Sequence, residues 1–254
     1  MEENLIAVSA EDAFCFACHP GVPCFNRCCA DLNQFLYPYD ILRLKKHLGL
    51  TSQEFLQRYT SQHIGPQSGL PVIALKPAES NDLLCPFATD RGCRVYADRP
   101  ASCRMYPLLR VVSRCRKTGR ITEHFAMIKE PHCRGFESDN QLQVAQWLSE
   151  QGLGDYNRSN DKILELIGLK NRRRLGPLDL KSQRLFHLAL YDLDSFKHHV
   201  FDGGLFRQLP TDAETLEIAR HDDTVLLDAA FEWVKASLFG EEDGLVINPS
   251  IRER

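Results

Sequence analysis

The chain has no basic surplus. Its 254 residues carry 31 Lys and Arg against 34 Asp and Glu, a net charge of −3. The broad positive footprint of a nucleic-acid binder is therefore missing. The one local run, Arg172-Arg173-Arg174, reads as the solvated end of a helix. No apolar run approaches the roughly 20 residues that a membrane span needs. The opening Met1-Glu2-Glu3-Asn4 is acidic, where a secretory signal begins with positive charge. These absences predict a cytoplasmic protein with neither nucleic acid nor membrane as a partner. No glycine-rich phosphate loop is present, since Gly152 and Gly154 make only a weak approach to one. No Ser/His/Asp arrangement and no internal repeat can be seen. Beyond Cys133 there is no cysteine at all.

What the chain does have is ten cysteines, all in its first 133 residues. Five of them fall between Cys15 and Cys29, and Cys28 and Cys29 are adjacent. Pro20, Gly21 and Pro23 keep the first part of this stretch from being helical. An irregular loop of thiols is poor core material, because its backbone polar groups have no regular ladder. It suits wrapping around a soft ion. In a reducing compartment clustered thiols read as metal ligands rather than disulfides.

The strongest candidate ligands are Cys18, Cys24, Cys28, Cys29, Cys85, Cys93, Cys103 and Cys133. Each stands beside a turn former, an arginine or another cysteine, which are settings that bend backbone around an ion or lower a thiol pKa. Cys15 makes a Cys-x-x-Cys with Cys18. Cys115 lies in a strand, where a thiol on a sheet face is as reasonable as a ligand. His19 and His132 adjoin cysteines and fit equally a fourth ligand, an outer donor or a plain loop histidine. Side chains of neighbouring residues diverge, so Cys28 and Cys29 suit two ions, or two irons of one cluster, better than one tetrahedral ion. Eight thiolates then suggest two four-thiolate sites or a multinuclear centre. All-sulfur ligation selects zinc, iron–sulfur or copper(I). The spacings match neither ordinary zinc fingers nor ferredoxins, so zinc and iron both stay open.

The remaining pattern predicts an α+β fold, predominantly helical. A cysteine-rich metal-binding region, 1–137, holds a few short strands, and a helical region, 138–254, packs on it. Residues 1–14 read as a loose arm or edge strand. Helices are expected at 38–48, with Pro38 at its first turn and Gly49 as its stop, and at 52–59, with Thr51 and Glu54 as a capping box. Strands are expected at 71–76, 108–115 and 121–128, the last two joined by a hairpin turn at 117–120. Further helices fit 140–150, 158–169, 179–200, 212–220, capped by Thr211 with Glu214, and 223–238, with Leu226, Leu227, Ala230, Phe231, Val234 and Leu238 as its stripe. The tail, 241–254, is polar.

The stretches Cys18-His19-Pro20-Gly21-Val22-Pro23-Cys24-Phe25-Asn26-Arg27-Cys28-Cys29, Tyr37-Pro38-Tyr39-Asp40, Cys85-Pro86-Phe87, Cys93-Arg94-Val95-Tyr96 and Cys103-Arg104-Met105-Tyr106-Pro107 resemble the YkgJ-like CxxCxxCC family of zinc- or iron-chelating domains. The resemblance covers about residues 14–137, and the later helices also resemble the longer members. It implies a zinc or iron site, with an iron–sulfur cluster as one form of it. The spacing from Cys18 to Cys24 exceeds the pattern's, so either Cys15 or Cys18 fills the first position; Cys18 is favoured by its His-Pro-Gly context. A related branch methylates lysines of flagellin. The alternative function is therefore metal-cluster-dependent group transfer to a protein side chain, as in a lysine N-methylase. That reading needs a pocket beside the thiols, lined by residues such as Tyr96, Arg99, Arg104 and Tyr106.

Overall fold

The computed structural model describes residues 5–30, 33–78, 83–115, 118, 120–173, 175–205 and 209–240. Met1 to Asn4, Arg116, Lys117 and Gly119 of the expected hairpin turn, Arg174 of the arginine run and the tail 241–254 lie outside them. The fold is α+β and mostly helical. The chain forms two units, Met1–Gln34 with Lys76–Asn157, and Phe35–Leu75 with Arg158–Arg254. The two interleave along the sequence. The expected division at 137/138 follows where the cysteines end, a boundary of chemistry rather than of packing, and stays a proposal.

The first unit contains three small antiparallel sheets. In one, β1 (Leu5–Val8) pairs with β9 (Ile121–Ile128), which pairs with β8 (Leu108–Arg114). The expected arm is thus an edge strand, with Leu5 opposite Ile128. A second sheet joins β2 (Ala13–Cys15) to β10 (Gln141–Gln143). A third is the two-residue pair β6 (Ala88–Thr89) and β7 (Gly92–Cys93). The short helix α3 (Ala101–Met105) follows, and α4 (Val144–Glu150) succeeds β10 directly. The helix expected from 140 therefore begins four residues later, because Leu142 is drawn into a strand opposite Phe14.

In the second unit the local signals hold closely. Helix α1 (Pro38–Leu48) ends at Gly49, which adopts a left-handed φ of 65° and donates to the carbonyls of Lys45 and Lys46. Helix α2 (Ser52–Tyr59) carries the Thr51–Glu54 capping box in full. A sheet ordered β3 (Phe35–Leu36), β5 (Pro71–Leu75), β4 (Thr60–Ile64) completes this segment. The chain then runs through α5 (Gly154–Arg172), within which the unit boundary falls, to the helices that follow.

Two expectations are corrected here. The helix foreseen over 179–200 is two, α6 (Leu180–Leu190) and α7 (Leu193–Phe201). Asp192 interrupts it by accepting the N–H of Ser195 as a new N-cap. Helix α8 (Ala213–His221) is capped by Asp212, which accepts from Thr215, rather than by Thr211. Helix α9 (Asp223–Phe239) buries Leu226, Leu227, Ala230, Phe231 and Val234 as expected. Trp233 is buried too, so α9 is apolar over much of its circumference, as a central helix is. Lys45 stands in the last turns of α1, where the helix dipole favours positive charge. It is only 4% exposed and pairs with Asp194 at 2.7 Å.

Candidate metal centre

The cysteine loop is anchored at its base by Phe16. Its ring is 2% exposed and lies 6.1, 5.3 and 5.4 Å from the rings of Tyr106, Phe136 and Trp147. Its N–H donates to the carbonyl of Asn140, and the next N–H, of Ala17, donates to Gly135. Gly135 is required by this approach, because a Cβ there would come within 2.6 Å of the Phe16 ring and 2.8 Å of the Ala17 carbonyl.

Beyond Ala17 the chain winds through successive turns, Val22 to His19, Phe25 to Val22 and Arg27 to Cys24. Asn26, at φ 65°, opens a single 3₁₀ turn over Arg27–Cys29. At three residues per turn, adjacent side chains leave such a turn about 120° apart. The expected divergence of Cys28 and Cys29 is only partial: both lie near Cys85, and their thiols share a hydrogen bond. That bond draws Cys28 down to about 7, against burial, and pushes Cys29 well up.

Cys28 lines one cleft with Cys18, Cys24, Cys133, His132 and Tyr106. Burial, and then the neighbouring Cys28, Cys24 and Cys133, push the Cys18 thiol up to about 11, with Arg99 opposing them. The Cys24 sulfur accepts the N–H of Arg134 at 3.0 Å. The cleft leaves a cavity of about 10 Å³, room for one water-sized or ion-sized body.

Cys29 feels Cys28, Cys85 and Cys103, while Cys85 and Cys93 each feel Cys28 as well. Cys85 is pushed up by burial, and the N–H groups of Phe87 and Ala88 oppose this. It in turn feels Cys93, at the end of the β6–β7 hairpin. Cys93 is raised by burial and held back by the N–H of Val95 and by Arg99. Cys103, on α3, reaches the Gln34 side-chain oxygen at 3.6 Å. The fold thus gathers the eight predicted cysteines into one neighbourhood around the Cys28–Cys29 step, with Cys28 near Cys18, Cys85 and Cys93 and Cys29 near Cys85 and Cys103. Among the described residues, no three such side chains stand in an arrangement that could hold an ion as it is. The donor set itself fits a soft ion, being eight sulfurs flanked by backbone N–H groups and by Arg94 and Arg99.

The other candidates sort differently. Cys15 lies in β2 opposite Gln141. Cys115 is exposed at the hairpin end of β8, seven residues beyond Leu108 or roughly 23 Å along an extended strand. The His19 ring accepts the N–H of Gly21 at 3.1 Å and so is engaged in its own turn. His132 lines the first cleft, 3.5 Å from Glu130.

Of the residues proposed for a substrate pocket, only Tyr106 lines the cleft. Its buried hydroxyl sits beside Cys133 and Glu130, without full hydrogen-bond geometry to either, and burial followed by those charges pushes it well up. Arg99 lies 3.8 Å from the Tyr96 ring centroid and near Cys18, Cys93 and Cys103. Tyr96 is 61% exposed. Arg104 is a strut, donating to the carbonyls of Arg99, Gln151 and Ala97 and standing over the Tyr156 ring. Sequence reasoning missed Gln34, Gln151 and Glu130 as supports of the site, because polar residues in loops carry no periodic signal.

No helix among the described residues is long and apolar enough to cross a membrane. The model of the CxxCxxCC family, described as "Putative zinc- or iron-chelating domain", matches residues 17–134. The match contains Cys18 and leaves Cys15 outside. None of the curated proteins compared and none of the solved structures compared matches the chain.

Proposed function

We propose, because residues 17–134 match the model of the CxxCxxCC family, a zinc- or iron-chelating domain by its description, that the eight cysteines hold zinc or iron in two sets. Cys18, Cys24, Cys28 and Cys133 form one set, and Cys29, Cys85, Cys93 and Cys103 form the other. The observation that carries this reading is the sharing of neighbours: Cys18, Cys24, Cys28 and Cys133 line one cleft, Cys29 lies near Cys85 and Cys103, and Cys28, near Cys85 and Cys93 as well, links the two sets. Two ions, or a cluster spanning both sets, would use the same donors. Arg99 offsets part of the thiolate charge, and the Arg134, Phe87, Ala88 and Val95 N–H groups stabilise sulfur as thiolate.

Chelation is better supported than group transfer. A methyl donor needs a cleft of several hundred Å³, and the cleft beside Cys18 has room for about one ion. Zinc, iron and sulfide analysis of anaerobically purified protein, with its visible spectrum, tests the proposal. Stoichiometric metal is expected, brown with sulfide for iron–sulfur and colourless for zinc. A folded, metal-free protein would overturn it.

A further inference from the structure

Among the described residues, the second unit has a strand whose outer edge faces no other strand. In the sheet ordered β3-β5-β4, β4 lies at the rim. Its register follows from the turn beyond it, where Gly65 donates to the carbonyl of Leu70. Antiparallel pairs alternate between bonded and non-bonded. His63–Val72 and Ser61–Ala74 are therefore the bonded pairs, while Gln62 opposite Ile73 and Ile64 opposite Pro71 are not. Gln62 and Ile64 thus turn their N–H and C=O groups outward. Among the described residues these outward groups have no hydrogen-bond partner.

Beside that edge runs a groove of about 340 Å³, lined by Gln62 and by Leu180, Gln183, Arg184 and His187 of α6. The α6 residues are spaced three and four apart, so they form one helical face. Leu180 is 72% exposed, an apolar side chain with nothing over it. The Gln183 amide donates to the Leu178 carbonyl at 2.7 Å and is fixed as a wall. Burial holds His187 below its ordinary range, offset in part by Asp192, so it adds little charge. Arg184 is exposed, and no carboxylate among the described residues pairs with it. The nearest acid on its helix, Asp179, is engaged as the N-cap with Ser182.

We infer that the edge of β4 and the adjoining face of α6 take an extended acidic segment of a partner protein as an added strand, with Arg184 holding its carboxylate. Main-chain bonds to Gln62 and Ile64 supply sequence-independent attachment, and alternate side chains enter the groove, one apolar against Leu180 and one acidic against Arg184. The uncompensated guanidinium selects an acidic occupant, since like charge there would be repelled and a neutral chain would leave it unpaired.

The test is panning of a phage library of short random peptides against the full metal-loaded chain. The selected sequences are then synthesised, with free and with amidated C-termini, and measured by calorimetry. Enrichment of acidic residues at alternate positions is expected. Arg184→Glu and Gln62→Pro should each weaken binding about tenfold or more, because one removes the ion pair and the other an outward N–H. Neither variant touches the β4–β5 bonds, so circular dichroism should be unchanged. Replacing the peptide's acid with lysine should restore binding to the Arg184→Glu chain. Loss on amidation would assign the carboxylate to a C-terminus and persistence to a side chain, both supporting the inference. No enrichment, or peptides that bind both variants as well as the wild type, would overturn it. So would a dimer in sedimentation that Gln62→Pro dissociates, because the edge would then belong to a second copy.

Discussion

The N–H of Cys85 donates to the carbonyl of Cys29 at 2.8 Å. This main-chain bond ties the two cysteine-bearing segments together beside the Cys28–Cys29 step. It is a single bond, worth about 1 kcal/mol net, closing a loop of more than fifty residues. Loop closure costs grow slowly with length, yet they exceed one such bond. Thiolate–metal bonding reaches about 10 kcal/mol or more in small zinc domains. On metal removal, residues 14–30 and 83–106 should lose amide protection, while α6 to α9 should keep most of theirs. Hydrogen exchange on chelated protein checks this, and equal deprotection throughout would mean one cooperative body.

Cys28→Ser and Cys29→Ser should not be equivalent. The first removes a donor that lines the cleft with Cys18, Cys24 and Cys133 and lies near Cys85 and Cys93 as well, the second one near Cys85 and Cys103. Each should release the metal of its own set first, because four-thiolate sites rarely survive exchange of sulfur for hydroxyl. Metal counts combined with the same substitution at Cys18 or Cys85 separate the sets. Identical behaviour of all four variants would point to one indivisible cluster.

Cys15→Ser should leave metal content close to wild type. Cys15 is held in β2 by pairing with Gln141, before the turns that gather the ligands. Loss of a metal equivalent would move the first ligand position from Cys18 to Cys15.

Gly135→Ala should destabilise the first unit by about 1–3 kcal/mol. Its methyl group would press on the Phe16 ring at 2.6 Å and on the Ala17 carbonyl at 2.8 Å, and neither the ring nor the backbone can move far. A lower thermal midpoint, with faster metal release to a chelator, is expected. Gly49→Ala, where a Cβ meets nothing within 4 Å, separates crowding from the cost of a left-handed φ.

The Lys45–Asp194 pair should govern the acid stability of the second unit. Burial raises the Asp194 carboxyl, but hydrogen bonds from Lys45 and from the N–H of Ser52, with the Lys45 charge, more than offset it and leave it below its ordinary 3.8. A depressed carboxyl adds stability above its unfolded value and loses it as pH falls through the folded one. Asp194→Asn should therefore cost most near neutrality and progressively less below about pH 4. The loss at pH 7 should be about 1–3 kcal/mol, less than for a fully buried pair because Asp194 is 39% exposed. Urea melts at several pH values would show it, and a loss that grows towards low pH would contradict the sign.

By itself the sequence determined what is short-range. Pro38 and Gly49 bound α1, Thr51 and Glu54 cap α2, and the stripe from Leu226 to Val234 builds α9, because caps and amphipathic faces act over one or two turns. It also determined the donor chemistry, since eight clustered thiols select a soft ion whatever the fold. Tertiary structure alone decided which thiols gather, because only the folding back of the segments that carry Cys85 and Cys133 brings these to Cys28 and Cys29. It likewise decided that Asp192 would cap α7 and split a continuous helical pattern. It decided that Lys45 would be buried, since its partner lies 149 residues away. And it decided that Thr60–Ile64 would be a strand, because exposed residues there carry no alternation and pairing with β5 supplies the order. Interactions between distant residues depend on the whole chain's packing, and no local window contains them.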